Sequence, residues 1–223
     1  MSYNWNTRTE LLLGAERMEY LSHCHVLVVG LGGVGAYAAE QICRAGIGHM
    51  TIVDADTVNE SNINRQLPAL HSTLGMQKAE VVGKRLLDIN PRLKLTILNE
   101  FLRDERTDEV LSSQKYDFIV DAIDSLSPKV YLLAYAYKHD IPIVSSMGAG
   151  AKLDPSQVKI ADISKSYNCT LARAVRKRLH HLGVNKGIPV VFSTEFADPD
   201  AIVEVENEQC KRTTTGTVAY MPA

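Results

Sequence analysis

The ten residues from Val26 to Gly35, VLVVGLGGVG, constrain this chain more than any other stretch. Val26, Leu27, Val28 and Val29 form an unbroken apolar, mostly β-branched run, the pattern of a strand buried on both faces. Gly30, Gly32, Gly33 and Gly35 follow at G-x-G-G-x-G spacing, and the Ala-rich run after them reads as a helix stopped by Gly46. A strand, a tight glycine turn and a helix N-terminus together receive phosphate. Glycine lets the backbone come close, and the first N–H groups and the helix dipole favour an anion. A second apolar strand, HMTIVDAD, reaches Asp54, 24 residues after Gly30. That is near the place, about 20 residues on, where an acid takes ribose hydroxyls. The set predicts an adenine nucleotide without saying which one. The alternative is a tight strand-to-helix turn with no ligand.

The rest of the chain repeats the strand–helix rhythm. Residues 7 to 22 predict two short helical pieces broken at Gly14, forming an N-terminal arm over 1–22. A long polar crossover, ADTVNESNINRQLPALHSTLG, leads to a helix over about 77–90, stopped by Asn90-Pro91. The strands KLTIL, DFIVDAID and IPIVSS then alternate with helices near 104–113 and 127–138. The expected fold is α/β: a doubly wound, mostly parallel, Rossmann-like sheet with a nucleotide-binding core over 23–147. From residue 148 to 223 the rhythm breaks. VKIADI reads as a short strand, Leu171 to Leu182 as a basic helix, and VVFST, AIVEVE and TVAYM as short antiparallel or edge strands, which predicts a short antiparallel extension within one domain.

Composition narrows the class. Cys24, Cys43, Cys169 and Cys210 never stand at C-x-x-C spacing, so neither a structural zinc clip nor a redox dithiol is expected, and scattered cysteines suit a reducing compartment. The net charge of −2 restricts any nucleic-acid contact to a local patch. The first residues, MSYNWNTRTE, are too polar for a signal peptide, and no apolar run reaches the roughly 18 residues of a membrane span. A cytoplasmic protein is expected.

The groups able to carry chemistry collect at strand ends. Ligands of open parallel sheets bind beyond the carboxyl ends of the strands, which would bring Asp54, Asp56 and Asp124 to one crevice. Carboxylates beside a triphosphate suggest Mg²⁺, a hard ion that prefers oxygen. Arg65 on the crossover would offer a bidentate fork, and Lys78 at its helix start a point charge. Taken singly, each cation also reads as a solvated charge. From Lys165 to Lys186 there are six Lys or Arg and no acid. Arg173, Arg176, Lys177 and His180 make one helical stripe opposite Leu171, Val175 and Leu179, which reads as an RNA-phosphate contact or as a solvated face.

GLGGVG, IVDADTVNESNINRQ, GMQKAEV and DAID together resemble the adenylation domain of the ThiF/MoeB/HesA and ubiquitin-activating-enzyme superfamily. RTELLLG, GIG, NINRQLPAL, INP, DAIDS, GAGAKLDPSQVKIADISK and VVFSTE are similar to the bacterial branch that dehydrates tRNA threonylcarbamoyladenosine. The resemblance implies ATP and Mg²⁺, a tRNA substrate, a homodimer, and a sulfur-transfer or cysteine desulfurase partner. It implies a nucleotide site of Gly30, Gly32, Gly33, Gly35, Asp54, Asp56, Ser61, Asn62, Arg65, Lys78, Asp124 and Ser125. Asp54 would bind ribose, Asn62, Arg65 and Lys78 the phosphates or adenine side, and Asp124 the Mg²⁺. Arg8 matches an arginine that acts in the neighbouring subunit, and the catalytic set is Arg8, Arg65, Lys78 and Asp124. The family pattern runs past TGTVAYMPA into an apolar helix, so a shortened chain is expected. The zinc-binding cysteine pairs of the ThiF and MoeB branch are missing. Three alternatives are adenylation of a ubiquitin-like sulfur carrier, an NAD-dependent oxidoreductase and a silent nucleotide-sensing scaffold.

Overall fold

The computed structural model describes residues 5–204 and 213–223. Its N-terminal arm is α1 (Thr7–Leu13) and α2 (Ala15–His23), interrupted at Gly14, which takes a φ of 84°. The core then runs β1 (His25–Val29), α3 (Gly35–Arg44), β2 (His49–Val53), α4 (Lys78–Ile89), β3 (Lys94–Leu98), α5 (Asp104–Ser113), β4 (Phe118–Asp121), α6 (Leu126–Lys138) and β5 (Ile143–Ser146). Beyond it lie β6 (Val158–Asp162), α7 (Thr170–His181), β7 (Pro189–Ser193), β8 (Ile202–Glu204) and β9 (Thr213–Thr215).

Seven strands form one sheet in the order β3-β2-β1-β4-β5-β7-β6, parallel except for β6, which pairs antiparallel with β7. The order reverses between β1 and β4, the switch point where such sheets open a crevice. Alternation along β1 shows why its sequence is apolar throughout. Leu27 and Val29 pack into a core shared with α5, α6 and α7, whereas Val26 and Val28 pack into a second core under α3 and α4. A strand covered on both faces has no polar side to show.

Two local expectations are corrected. VVFST is not an edge element: β7 lies inside the main sheet, parallel to β5 on one side and antiparallel to β6 on the other. TVAYM is not a strand; the strand falls earlier, at β9, paired with β8. The backbone of TVAYM is used elsewhere, with Thr217 O accepting from Asn64 Nδ2 at 3.2 Å and Met221 N donating to Val218 O at 3.3 Å. The apolar face of α7 is as expected: Val175 and Leu179 are buried with Ala172, and Leu171 is partly buried and packs against the same core. The last two residues of AIVEVE, 205 and 206, lie outside the described residues.

Candidate nucleotide site

Register brings the strand ends together. Val29 pairs with Val53 on one side and Asp121 on the other, so Gly30, Asp54 and Ala122 each lie one residue beyond, at a common edge. Gly30 N donates to Val53 O and Ala122 N to Val29 O, both at 2.8 Å, so the ladder holds into the loops. Gly30 has a φ of 88°, in the left-handed region that favours glycine, and a Cβ there would stand 2.7 Å from Ala122 O. A Cβ on Gly35 would stand 1.8 Å from Gly30 O. No side chain fits at either position. Gly32 and Gly33 are partly exposed instead, leaving their backbone open to an approaching phosphate.

Asp54 builds the floor of this turn. Its Oδ2 accepts from Leu31 N at 2.6 Å and its Oδ1 from Asp56 N at 2.8 Å. Burial pushes the carboxyl above the ordinary aspartate range, against the opposing pull of these N–H groups and of Lys78. Lys78 opens α4, is only 4% exposed, and donates from Nζ to Asp56 Oδ2 at 2.8 Å. Its backbone N donates to Asp56 O at 2.9 Å, so the acid and the lysine form one brace. Asp56 itself is exposed.

The crossover loop lies against the glycines. Gln66 Nε2 would sit 3.6 Å from a Cβ on Gly32, and Arg65 O 3.6 Å from one on Gly33. Arg65 Nη1 donates to Ser61 O at 2.9 Å and to Asn64 Oδ1 at 2.8 Å, which orients the guanidinium. Asn62 is buried; its Oδ1 accepts from Asn59 N at 3.1 Å, so that oxygen folds the loop. Asp124 is exposed on the turn after β4, and Ser125 is the N-cap residue of α6 without a side-chain cap bond.

Two features escaped sequence reasoning. The segment after β9 returns to the glycine turn, with Pro222 Cγ 3.0 Å from where a Cβ on Gly33 would be and Met221 buried. Beneath the β4 turn, Lys129, Asp121 and Ser145 form a closed hydrogen-bonded triangle, each 0% exposed. Lysine on an amphipathic helix gives no signal of burial, and a contact between residues 33 and 222 has no local trace in the sequence.

The other expected residues sit on α1 and α7. Arg8 is exposed on α1, which buries none of its residues. On α7, Arg173 and Lys177 are exposed, but Arg176 is half-buried and donates to Ser166 O at 2.6 Å and also to Ser166 Oγ. Arg173, Arg176, Lys177, His180 and Asn185 line a groove of about 380 Å³ beside it. Cys24, Cys43 and Cys169 are buried free thiols, and Cys210 lies outside the described residues. Among the described residues no three His, Cys, Asp or Glu side chains gather at metal-ligand spacing, and no helix is long and apolar enough to cross a membrane.

A switch point between β1 and β4, a glycine turn and an acid at the next strand end make the arrangement of a nucleotide-binding α/β protein. The ThiF family model matches residues 3–223, and the chain belongs to that family. A tRNA threonylcarbamoyladenosine dehydratase of Bacillus subtilis (strain 168) is 41% identical over 208 residues, covering 92% of this chain and 82% of the relative. The solved E. coli tRNA N6-threonylcarbamoyladenosine dehydratase in complex with ATP superposes with a TM-score of 0.87 at 35% identity, covering 97% of this chain and 86% of that one. The same enzyme in complex with AMP gives 0.86 at 34% identity, with the same coverage.

Proposed function

We propose that this chain is an ATP-dependent dehydratase that adenylates the threonyl carboxylate of tRNA threonylcarbamoyladenosine and so leads to its cyclic form. The observation that carries the reading is the phosphate cradle of Gly30–Gly35 with Asp54 and Lys78 at one sheet edge, in a fold shared with an ATP-bound dehydratase. A carboxylate oxygen attacks the α-phosphorus of ATP and pyrophosphate leaves. The ureido nitrogen then attacks the acyl carbon, loses its proton and expels AMP, so the tRNA loses one water overall. Adenylation converts a poor leaving group into a good one. The chain's task is positioning and charge neutralisation.

In this reading the N–H groups of Gly32 and Gly33 face the phosphates, and Asp54 takes the ribose hydroxyls. Lys78 and Arg65 neutralise the departing pyrophosphate. Mg²⁺ is held in such sites by one or two carboxylates plus phosphate oxygens, so Asp124 fits it without a cluster of acids. When bound, Mg²⁺ would offset phosphate charge. Arg8 acts in the site of a second subunit, and the exposed Leu11 and Leu12 beside it, 81% and 82% accessible, suit burial in a homodimer. Arg173 and Lys177 contact tRNA phosphates, and the protein works in the cytoplasm. Lys78 and Arg65 suit a triphosphate better than NAD.

Pyrophosphate exchange into ATP tests the reading. The expected result is exchange that depends on tRNA carrying threonylcarbamoyladenosine. Exchange driven by a ubiquitin-like carrier protein, with none from the tRNA, would overturn it.

A further inference from the structure

The buried triangle beneath β4 performs no step in the mechanism above, and stability alone does not account for it. An ion pair sealed from water is often matched or surpassed by well-packed apolar side chains of the same volume. Lys129 Nζ donates to Asp121 Oδ2 at 2.6 Å and to Ser145 Oγ at 3.1 Å, and Ser145 Oγ donates to the same Asp121 Oδ2 at 2.5 Å. That oxygen is thereby fixed by helix α6 and strand β5 at once. The other oxygen, Oδ1, accepts from Ile123 N at 3.0 Å and closes the turn that begins at Ala122.

What this turn carries makes its shape matter. Ala122 O stands 2.7 Å, and Ala122 Cβ 3.0 Å, from the places where side chains on Gly30 and Gly35 would begin. The Ala122 peptide is thus the mould against which the glycine turn is set. Asp124 follows two residues later. One carboxylate therefore fixes both the phosphate cradle and the turn that presents the acid.

We infer that Lys129 and Ser145, acting through Asp121, are positioning residues for adenylation: they hold the Ala122–Asp124 turn in the orientation that presents Asp124 to the nucleotide's metal. The inference rests on the ATP-dependent reading above. Supporting partners of metal ligands commonly cost about 10–100-fold in metal affinity or activity when removed. Loss of the triangle should therefore act on the Mg²⁺-dependent part of nucleotide binding. Binding without Mg²⁺ should fall less, since Asp54, Lys78 and the crossover loop remain in place.

The test uses Ser145→Ala, Lys129→Met and the double variant Asp121→Asn/Lys129→Met. The double variant removes both charges together and keeps an acceptor for Ile123 N, so it is the form expected to stay folded if Lys129→Met does not. Calorimetry would give ATP affinity with and without Mg²⁺, alongside melting temperature and tRNA-dependent exchange. The expected result for the double variant is a melting temperature near wild type. The gain in ATP affinity from Mg²⁺ falls about tenfold or more, and exchange falls about 10–100-fold. Ser145→Ala should shift the same way by less. Wild-type Mg²⁺ dependence and exchange in both folded variants would overturn the inference, as would loss of Mg²⁺-free and Mg²⁺-dependent binding in equal proportion. The reading beneath it fails differently: the unaltered chain would show no tRNA-dependent exchange at all.

Discussion

Strands β2 and β4 end in the same way and serve different ends. Each reaches an aspartate whose Oδ1 accepts from the backbone N–H two residues on, Asp56 N for Asp54 and Ile123 N for Asp121. Each is answered by a lysine at or near the start of the following helix, Lys78 on α4 and Lys129 on α6. At β2 the lysine bonds the second acid, exposed Asp56, and Asp54 turns its other oxygen to the glycine turn. At β4 the lysine bonds the first acid directly and the whole group is sealed. One turn faces a ligand, and the other supplies a rigid backing. Burial of the partner lysine's charge pair, more than the turn itself, separates the two roles.

Breaking the sealed end should cost the most stability. Lys129→Met leaves the Asp121 carboxylate buried without a counter-charge, which typically destabilises by about 3–5 kcal/mol; chemical denaturation reads this directly. Lys78→Met should differ in kind. Its partner Asp56 is exposed and can be rehydrated, so the fold should persist while exchange falls by about two orders of magnitude, the usual size for a preorganised electrostatic contact. Asp124→Asn should show the same kinetic loss with an unchanged melting curve. Equal stability losses for Lys78→Met and Lys129→Met would erase the distinction.

The open end should also respond to pH. Burial raises the Asp54 carboxyl above its ordinary range, so its ionised form is lost on acidification at a higher pH than for an exposed aspartate. If ionised Asp54 binds ribose, ATP affinity measured by calorimetry falls as pH drops through that raised value, and Asp54→Asn flattens the profile. A profile in Asp54→Asn identical to wild type would assign the ribose elsewhere.

The smallest effect concerns a brace behind the site. Glu40 on α3 accepts from Arg85 Nε at 2.5 Å and from Arg44 Nε at 2.8 Å, tying α3 to α4. The Arg85 bond, chiefly, and Arg44 hold its carboxyl below the ordinary glutamate range against burial. Its contribution is therefore complete at neutral pH and is lost as pH falls through the folded-state value. Both arginines are about half exposed, so Glu40→Gln should cost no more than about 1 kcal/mol, seen as a small shift in denaturation midpoint at pH 7.

The legible part of the molecule was its local part. Apolar periodicity marked β1 to β5 and their helices because each pattern is written in a contiguous window. The glycine turn was equally plain, since positive φ and the absence of a Cβ at Gly30 and Gly35 leave one residue type. VVFST was misplaced because a short apolar run says nothing about its partner, and β7 finds that partner across more than forty residues, at Ser145 and Ser146. TVAYM has a strand-like apolar run, but its backbone is claimed by Asn64, a contact of 153 residues' separation. Lys129 looked like any helix lysine because burial of a charge depends on what faces it. Arg176 read as one of a basic stripe, whereas its half-buried guanidinium pins Ser166.

If this nucleotide site activates a carboxylate on tRNA, the tRNA nucleosides record it. The most direct measurement is mass spectrometry of nucleosides from tRNA carrying threonylcarbamoyladenosine, after incubation with the purified chain, ATP and Mg²⁺. The modified adenosine should lose the mass of one water while AMP appears in equal amount, and Asp124→Asn should slow both by about two orders of magnitude. An unchanged nucleoside mass in the presence of wild-type protein and ATP consumption would contradict carboxylate activation.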